Sequence, residues 1–121
     1  MGGFGALDLA RLDPARFCAV GGHSAALWDS DGETPPGAFD DAADFARHDV
    51  LAAARSGARF GRGPVWLDGG DADPFRSTDT ELASLLHTTM HVWPGGHDLT
   101  YWNAHLAQYL RFYADALSAC R

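Results

Sequence analysis

The stretch Pro64-Val65-Trp66-Leu67-Asp68-Gly69-Gly70-Asp71-Ala72-Asp73-Pro74-Phe75 decides the fold class. Pro64 to Leu67 form a short apolar run, and acids and glycines follow at once. A run that brief, bounded by turn residues, suits a strand buried in a parallel sheet, with a polar loop at its carboxyl end. Two other runs share the pattern: Phe17-Cys18-Ala19-Val20, closed by Gly21-Gly22, and Thr89-Met90-His91-Val92-Trp93, stopped by Pro94-Gly95-Gly96. Helical spacing fills the gaps. It predicts a helix over Phe4 to Leu12, ended by Asp13-Pro14 because the residue before proline avoids the α region. It predicts one or two further pieces between Ala38 and Ala54, and a short helix from Thr80 to Leu86. Trp102, Leu106, Tyr109, Leu110, Tyr113 and Leu117 stripe a long terminal helix and read as its core-facing side. Alternating strands and helices give an α/β architecture of about three parallel strands flanked by helices.

At 121 residues the chain has room for one domain at most, spanning 1–121. A net charge of −7 with no basic cluster argues against nucleic acid and against anionic membrane surfaces as partners. No apolar stretch approaches transmembrane length and no secretory signal is present, so the expected location is open: cytoplasmic as the chain stands, with secretion still possible. The chain holds no Lys and no Ile, which points to a high-GC, bacterial genome and removes Schiff-base and P-loop lysine chemistry. Cys18 lies in an apolar run and Cys120 in the last helical turn, so both read as buried or incidental thiols rather than as a disulfide or metal pair.

In open α/β sheets, functional groups gather at the carboxyl ends of the strands. Three such loops carry polar residues here: Gly22-His23-Ser24, Asp68 through Phe75, and Gly95-Gly96-His97-Asp98. An acid on one strand-end loop followed by a histidine on a later one is the chain order of a hydrolase triad, nucleophile first, then acid, then base. Other chemistries fit worse. Gly3-Phe4-Gly5 lacks the preceding strand and third glycine of a dinucleotide site. Asp29-Ser30-Asp31-Gly32 places its glycine two positions too early for a calcium loop. The six histidines fall into no ligand spacing. No metal and no cofactor are expected. Asp40-Asp41-Ala42-Ala43-Asp44 reads as a solvated helix face.

Four landmarks, in order, carry a resemblance. They are Met1-Gly2-Gly3-Phe4-Gly5-Ala6, Gly21 through Trp28, Asp68 through Phe75, and Pro94-Gly95-Gly96-His97 ahead of an aromatic-rich helix. Together they resemble the C-terminal part of the esterase family of α/β-hydrolases that includes S-formylglutathione hydrolases and mycolyltransferases. The resemblance implies a partial hydrolase fold, with the N-terminal half of the sheet missing and Met1 directly following the nucleophile of a G-x-S-x-G turn. It implies that His97 is the general base and Asp73 its orienting acid, although Asp68 and Asp71 share the loop and are open alternatives. It implies that the Met1 backbone N–H serves the oxyanion. Ser24 and Trp28 are weaker candidates for the substrate pocket wall. Asp98 adjoins His97 too closely to orient it and reads as a helix cap.

The resulting expectation is a serine carboxylesterase or acyl hydrolase portion, acting on a small-molecule ester or thioester, that carries acid and base without the serine and is inactive alone. The alternative is a non-catalytic hydrolase-like module that pairs through its open sheet edge, with a second copy or with the missing half. One departure from the family stands out: Leu85-Leu86-His87-Thr88-Thr89-Met90 joins helix to strand without a glycine.

Overall fold

The computed structural model describes residues 1–120. Three strands, β1 (Val20–His23), β2 (Val65–Gly70) and β3 (Met90–Trp93), form one parallel sheet in the order β1-β2-β3. The register pairs Val20 with Val65 and Leu67 with Met90, so β2 is central. Five α-helices complete the fold: α1 (Gly2–Leu12), α2 (Ala42–Arg47), α3 (Val50–Arg55), α4 (Arg76–Leu85) and α5 (Leu99–Ala119). Among the described residues, no helix is long and apolar enough to cross a membrane.

Alternation along the strands sorts the two faces. Val20 and Leu67 point to one side and join Leu7, Ala10, Val50, Leu51, Leu82 and Ala83 in an aliphatic core beneath α1, α3 and α4. His23, Trp66, Asp68, His91 and Trp93 belong to the other face, where α5 lays Tyr101, His105, Tyr109, Phe112 and Tyr113 over them. Three helices start as their sequences direct, with Asp41, Asp49 and Asp98 each accepting a hydrogen bond from the amide three residues on, at 2.7, 2.8 and 3.0 Å.

Several expectations are corrected. The first strand runs over Val20–His23, not Phe17–Val20, and the second extends through Asp68-Gly69-Gly70 instead of stopping before them. Gly21 and Gly22 lie inside β1 because helices approach on both sides: a Cβ at Gly21 would overlap the Tyr113 hydroxyl, and one at Gly22 would meet Leu67 and Leu7. The leucines of the α5 stripe are not core. Leu106, Leu110 and Leu117 are 50%, 61% and 65% exposed, whereas Tyr101, Tyr109 and Ala116 are buried. Cys18 and Cys120 are not free thiols; they form a disulfide, with Cα atoms 5.7 Å apart. It joins the residues before β1 to the end of α5, a meeting that 102 residues of sequence separation conceal. The glycine-free connection after α4 is resolved by His87, which takes a left-handed φ of 53° while Thr88 N–H bonds back to the Ala83 carbonyl.

Candidate active site

The loops after β2 and β3 are laced together before any side-chain chemistry enters. Asp71 N–H donates to the Trp93 carbonyl at 2.9 Å, Ala72 N–H to the Gly95 carbonyl at 2.9 Å, and Gly95 N–H to Asp71 Oδ1 at 3.0 Å. Two glycines permit this. A side chain at Gly70 would overlap the Gly95 carbonyl, and Gly95 itself, at φ 142°, leaves no room for a Cβ against the Tyr101 ring.

This lacing brings Asp73 under His97. Asp73 Oδ2 accepts from His97 Nδ1–H at 3.0 Å, and its Oδ1 accepts from Phe75 N–H at 2.8 Å. The Asp73 side chain is fully buried, whereas that of His97 is 32% exposed. With Nδ1–H committed to the carboxylate, Nε2 is the ring nitrogen left to accept a proton. Aromatic rings flank the imidazole, Phe75 at 5.5 Å and Trp102 at 5.2 Å between centroids, both edge to face.

The other two acids of the loop are engaged elsewhere. Asp71 holds the Gly95 amide. Asp68, which lies within β2, accepts four hydrogen bonds, from His23 Nδ1–H (2.6 Å), Trp66 Nε1–H (2.8 Å), Tyr109 OH (2.7 Å) and Tyr101 OH (2.9 Å). Burial alone would raise its carboxyl, but the His23 and Tyr109 bonds, with Tyr101, hold it below the ordinary carboxylate range. Burial, together with the Asp68 charge, pushes the Tyr101 and Tyr109 hydroxyls well up. His23 passes the network on, its Nε2 accepting from Tyr113 OH at 2.9 Å.

Ser24 follows β1 directly and has a left-handed φ of 55°, a conformation non-glycine residues seldom take. Its side chain is not presented for attack: the residue is 3% exposed, its Oγ accepts from Trp102 Nε1–H at 3.4 Å, and neither His23 nor His97 hydrogen-bonds it. Trp28 is half-buried and packs at 5.6 Å on Phe75, so it lies one ring away from His97. Met1 caps α1, its carbonyl accepting from Gly5 N–H at 3.0 Å.

The sequence reading passes over Asp79. It is fully buried on α4, and neither carboxyl oxygen has a hydrogen-bond partner. Burial, then the Asp73 charge, pushes its carboxyl up to about 9, so it is neutral near pH 7. A signal did exist, since Asp79 sits three residues before Leu82, although the predicted helix began at Thr80 and so left it out; the observed helix starts at Arg76.

A cleft of about 490 Å³ lies elsewhere, at the amino ends of the strands among Cys18, Arg62, Pro64, Phe112 and Cys120. We take the laced loops as the candidate site, because a buried carboxylate there orients a partly exposed imidazole and the cleft holds no such pair.

Residues 1–113 match the family described as "Putative esterase". The chain belongs to that esterase family. Membership makes it a protein of an ester-hydrolase family, which implies a small-molecule substrate, on the α/β architecture already described. No curated protein matches this esterase-family chain.

Proposed function

We propose that this esterase-family chain supplies the acid and base of a Ser-His-Asp ester hydrolase, Asp73 and His97, and that the serine comes from sequence outside residues 1–121. The observation that carries the reading is the 3.0 Å bond between His97 Nδ1 and buried Asp73, built across two strand-end loops. The carboxylate holds the tautomer in which Nε2 accepts a proton, and it stabilises the imidazolium that results. His97 then takes the serine proton as the hydroxyl adds to the ester or thioester carbonyl. It returns that proton to the leaving alcohol or thiol, and water releases the acyl group by the same route. The Met1 backbone N–H is the proposed oxyanion donor, in keeping with its resemblance to the residue after the nucleophile.

Fluorophosphonate labelling tests this. Residues 1–121 alone are expected to stay unlabelled; the same residues extended by the encoded upstream sequence are expected to label, and His97→Ala to abolish it. Labelling of residues 1–121 at Ser24 would overturn the assignment.

One observation favours a second reading, in which the chain is an assembly module. Leu99, Leu106, Leu110 and Leu117 recur at helical spacing along α5 and are 71%, 50%, 61% and 65% exposed, an apolar strip on a helix that packs the sheet with its other side. A defined complex by light scattering, unaffected by His97→Ala and lost in Leu106→Ser/Leu110→Ser, is what that reading expects.

A further inference from the structure

A chain of aromatic rings leads away from His97. Phe75 packs on the imidazole, and its far side meets Trp28 at 5.6 Å, nearly perpendicular. Trp28 in turn meets Phe4 at 6.2 Å and Phe39 at 6.3 Å, and those two rings lie 5.7 Å apart. The four phenyl and indole groups come from three segments: α1, the connection between β1 and α2, and the loop after β2. None of them is buried; each keeps part of its surface open to solvent. Core aromatics on the other sheet face, such as Tyr101 and Tyr109, are closed over.

The row is held in place rather than draped. Leu27 carbonyl, just before Trp28, accepts from Thr78 Oγ1 at 3.2 Å, and Asp29, just after it, pairs with Arg55 at 2.9 Å. Arg55 is itself tied to Glu81 on α4 at 2.7 Å. A recognition surface that is already ordered loses little freedom on binding. The row presents ring faces and edges and no ionised group of its own. The chain's net charge of −7 further disfavours an anionic acyl group.

We propose that Phe4, Trp28, Phe39 and Phe75 form the acyl-binding surface, and that the substrates are neutral esters with an aryl or similarly bulky apolar acyl group. This rests on reading His97 as the base, since it takes its direction from that residue. Perpendicular ring packing suits a flat acyl group inserted edge-to-face, whereas an acetyl or formyl group would touch Phe75 at most.

Binding of neutral esters to residues 1–121 tests the proposal without requiring turnover. The probes are methyl benzoate and methyl acetate, read by the Trp28 indole N–H resonance, which is assigned by its loss in Trp28→Phe. Methyl benzoate is expected to shift that resonance saturably and methyl acetate to leave it in place. Phe39→Ala should weaken the benzoate effect about tenfold, and Phe39→Leu, kept as a milder variant, should weaken it less. Equal shifts with both esters, or none with either, overturn the proposal. His97→Ala separates the two readings: it should leave benzoate binding intact. If it also leaves turnover of the extended protein intact, the catalytic reading fails and with it the acyl assignment, while the rings stand only as a surface that binds aryl esters.

Discussion

Among the described residues three buried aspartates pair with histidines; Asp8–His48 ties α1 to the end of α2, and the two pairs near the carboxyl ends of the strands sit in opposite kinds of surroundings. His23–Asp68 belongs to the strands; its carboxylate is closed off by four donors and its second ring nitrogen is occupied by Tyr113. His97–Asp73 belongs to the loops; its carboxylate accepts one imidazole and one backbone amide, and the imidazole is part-exposed with Nε2 unbound by any described residue. The first pair has its hydrogen-bonding capacity filled, with three tyrosines of α5 among its partners. The second leaves one nitrogen unbound by any described residue, as the proposed base role requires. Residue type and pairing distance do not distinguish these two pairs; the saturation of the remaining valences does, and it is what the proposed assignment rests on.

The largest expected contrast is kinetic. In the protein that carries its serine, His97→Ala should lower kcat/KM by about 10⁴-fold or more. His23→Ala should leave kcat/KM far closer to the parent and instead lower the unfolding midpoint. Steady-state ester hydrolysis beside thermal unfolding reads both, and a kinetic collapse in His23→Ala would erase the distinction.

Next comes stability on the locked side. Asp68→Ala strands four donors in a closed site and should cost about 3–5 kcal/mol, measured by denaturant unfolding. The sign of its pH dependence follows from the depressed carboxyl. The contribution is present above the unfolded-state value and is lost as pH falls through the lower folded-state value. A similar loss, about 4.7 kcal/mol for a closed loop of about 100 residues, is expected when the Cys18–Cys120 disulfide is reduced, because it clamps the far end of the same helix. An unchanged midpoint with reductant would show that the tyrosine network alone holds α5.

The smallest effect sharpens the poised side. Asp79, with its folded carboxyl raised to about 9 from an ordinary 3.8, is neutral in the fold while the unfolded chain ionises. Stability is therefore undiminished in acid and declines as pH rises from the unfolded value toward the folded one. Asp79→Asn should be neutral near pH 4 and stabilising by about 2 kcal/mol or more near pH 8. Equal midpoints for variant and parent at both values would mean that Asp79 is ionised in the fold.

Much of this was legible residue by residue. Strand-like apolar runs ending in polar loops, helical spacing between them, and an acid ahead of a histidine in chain order are local or one-dimensional patterns. So are the Asp98 cap and the pairing candidates Asp73 and His97. The strand ends were misplaced because glycines usually punctuate, whereas Gly21, Gly22, Gly69 and Gly70 are here inside strands, three of them where helices or a loop press against the sheet. The terminal stripe was misread because leucine and tyrosine look alike to a hydropathy pattern, while the polar sheet face of His23 and Asp68 selects tyrosine hydroxyls and turns the leucines outward.

By itself, then, the sequence determined the α/β class, the order of elements and an acid-bearing loop ahead of the His97 loop, because periodicity and chain order survive without coordinates. Only the tertiary structure decided which of three neighbouring aspartates meets which histidine. It also decided that Cys18 reaches Cys120 and that Asp79 lies unpartnered behind Asp73. Those outcomes depend on how loops and helices pack around the sheet, which chain order does not specify; for Asp68, inside β2, a shift of one residue would turn the side chain to the other face.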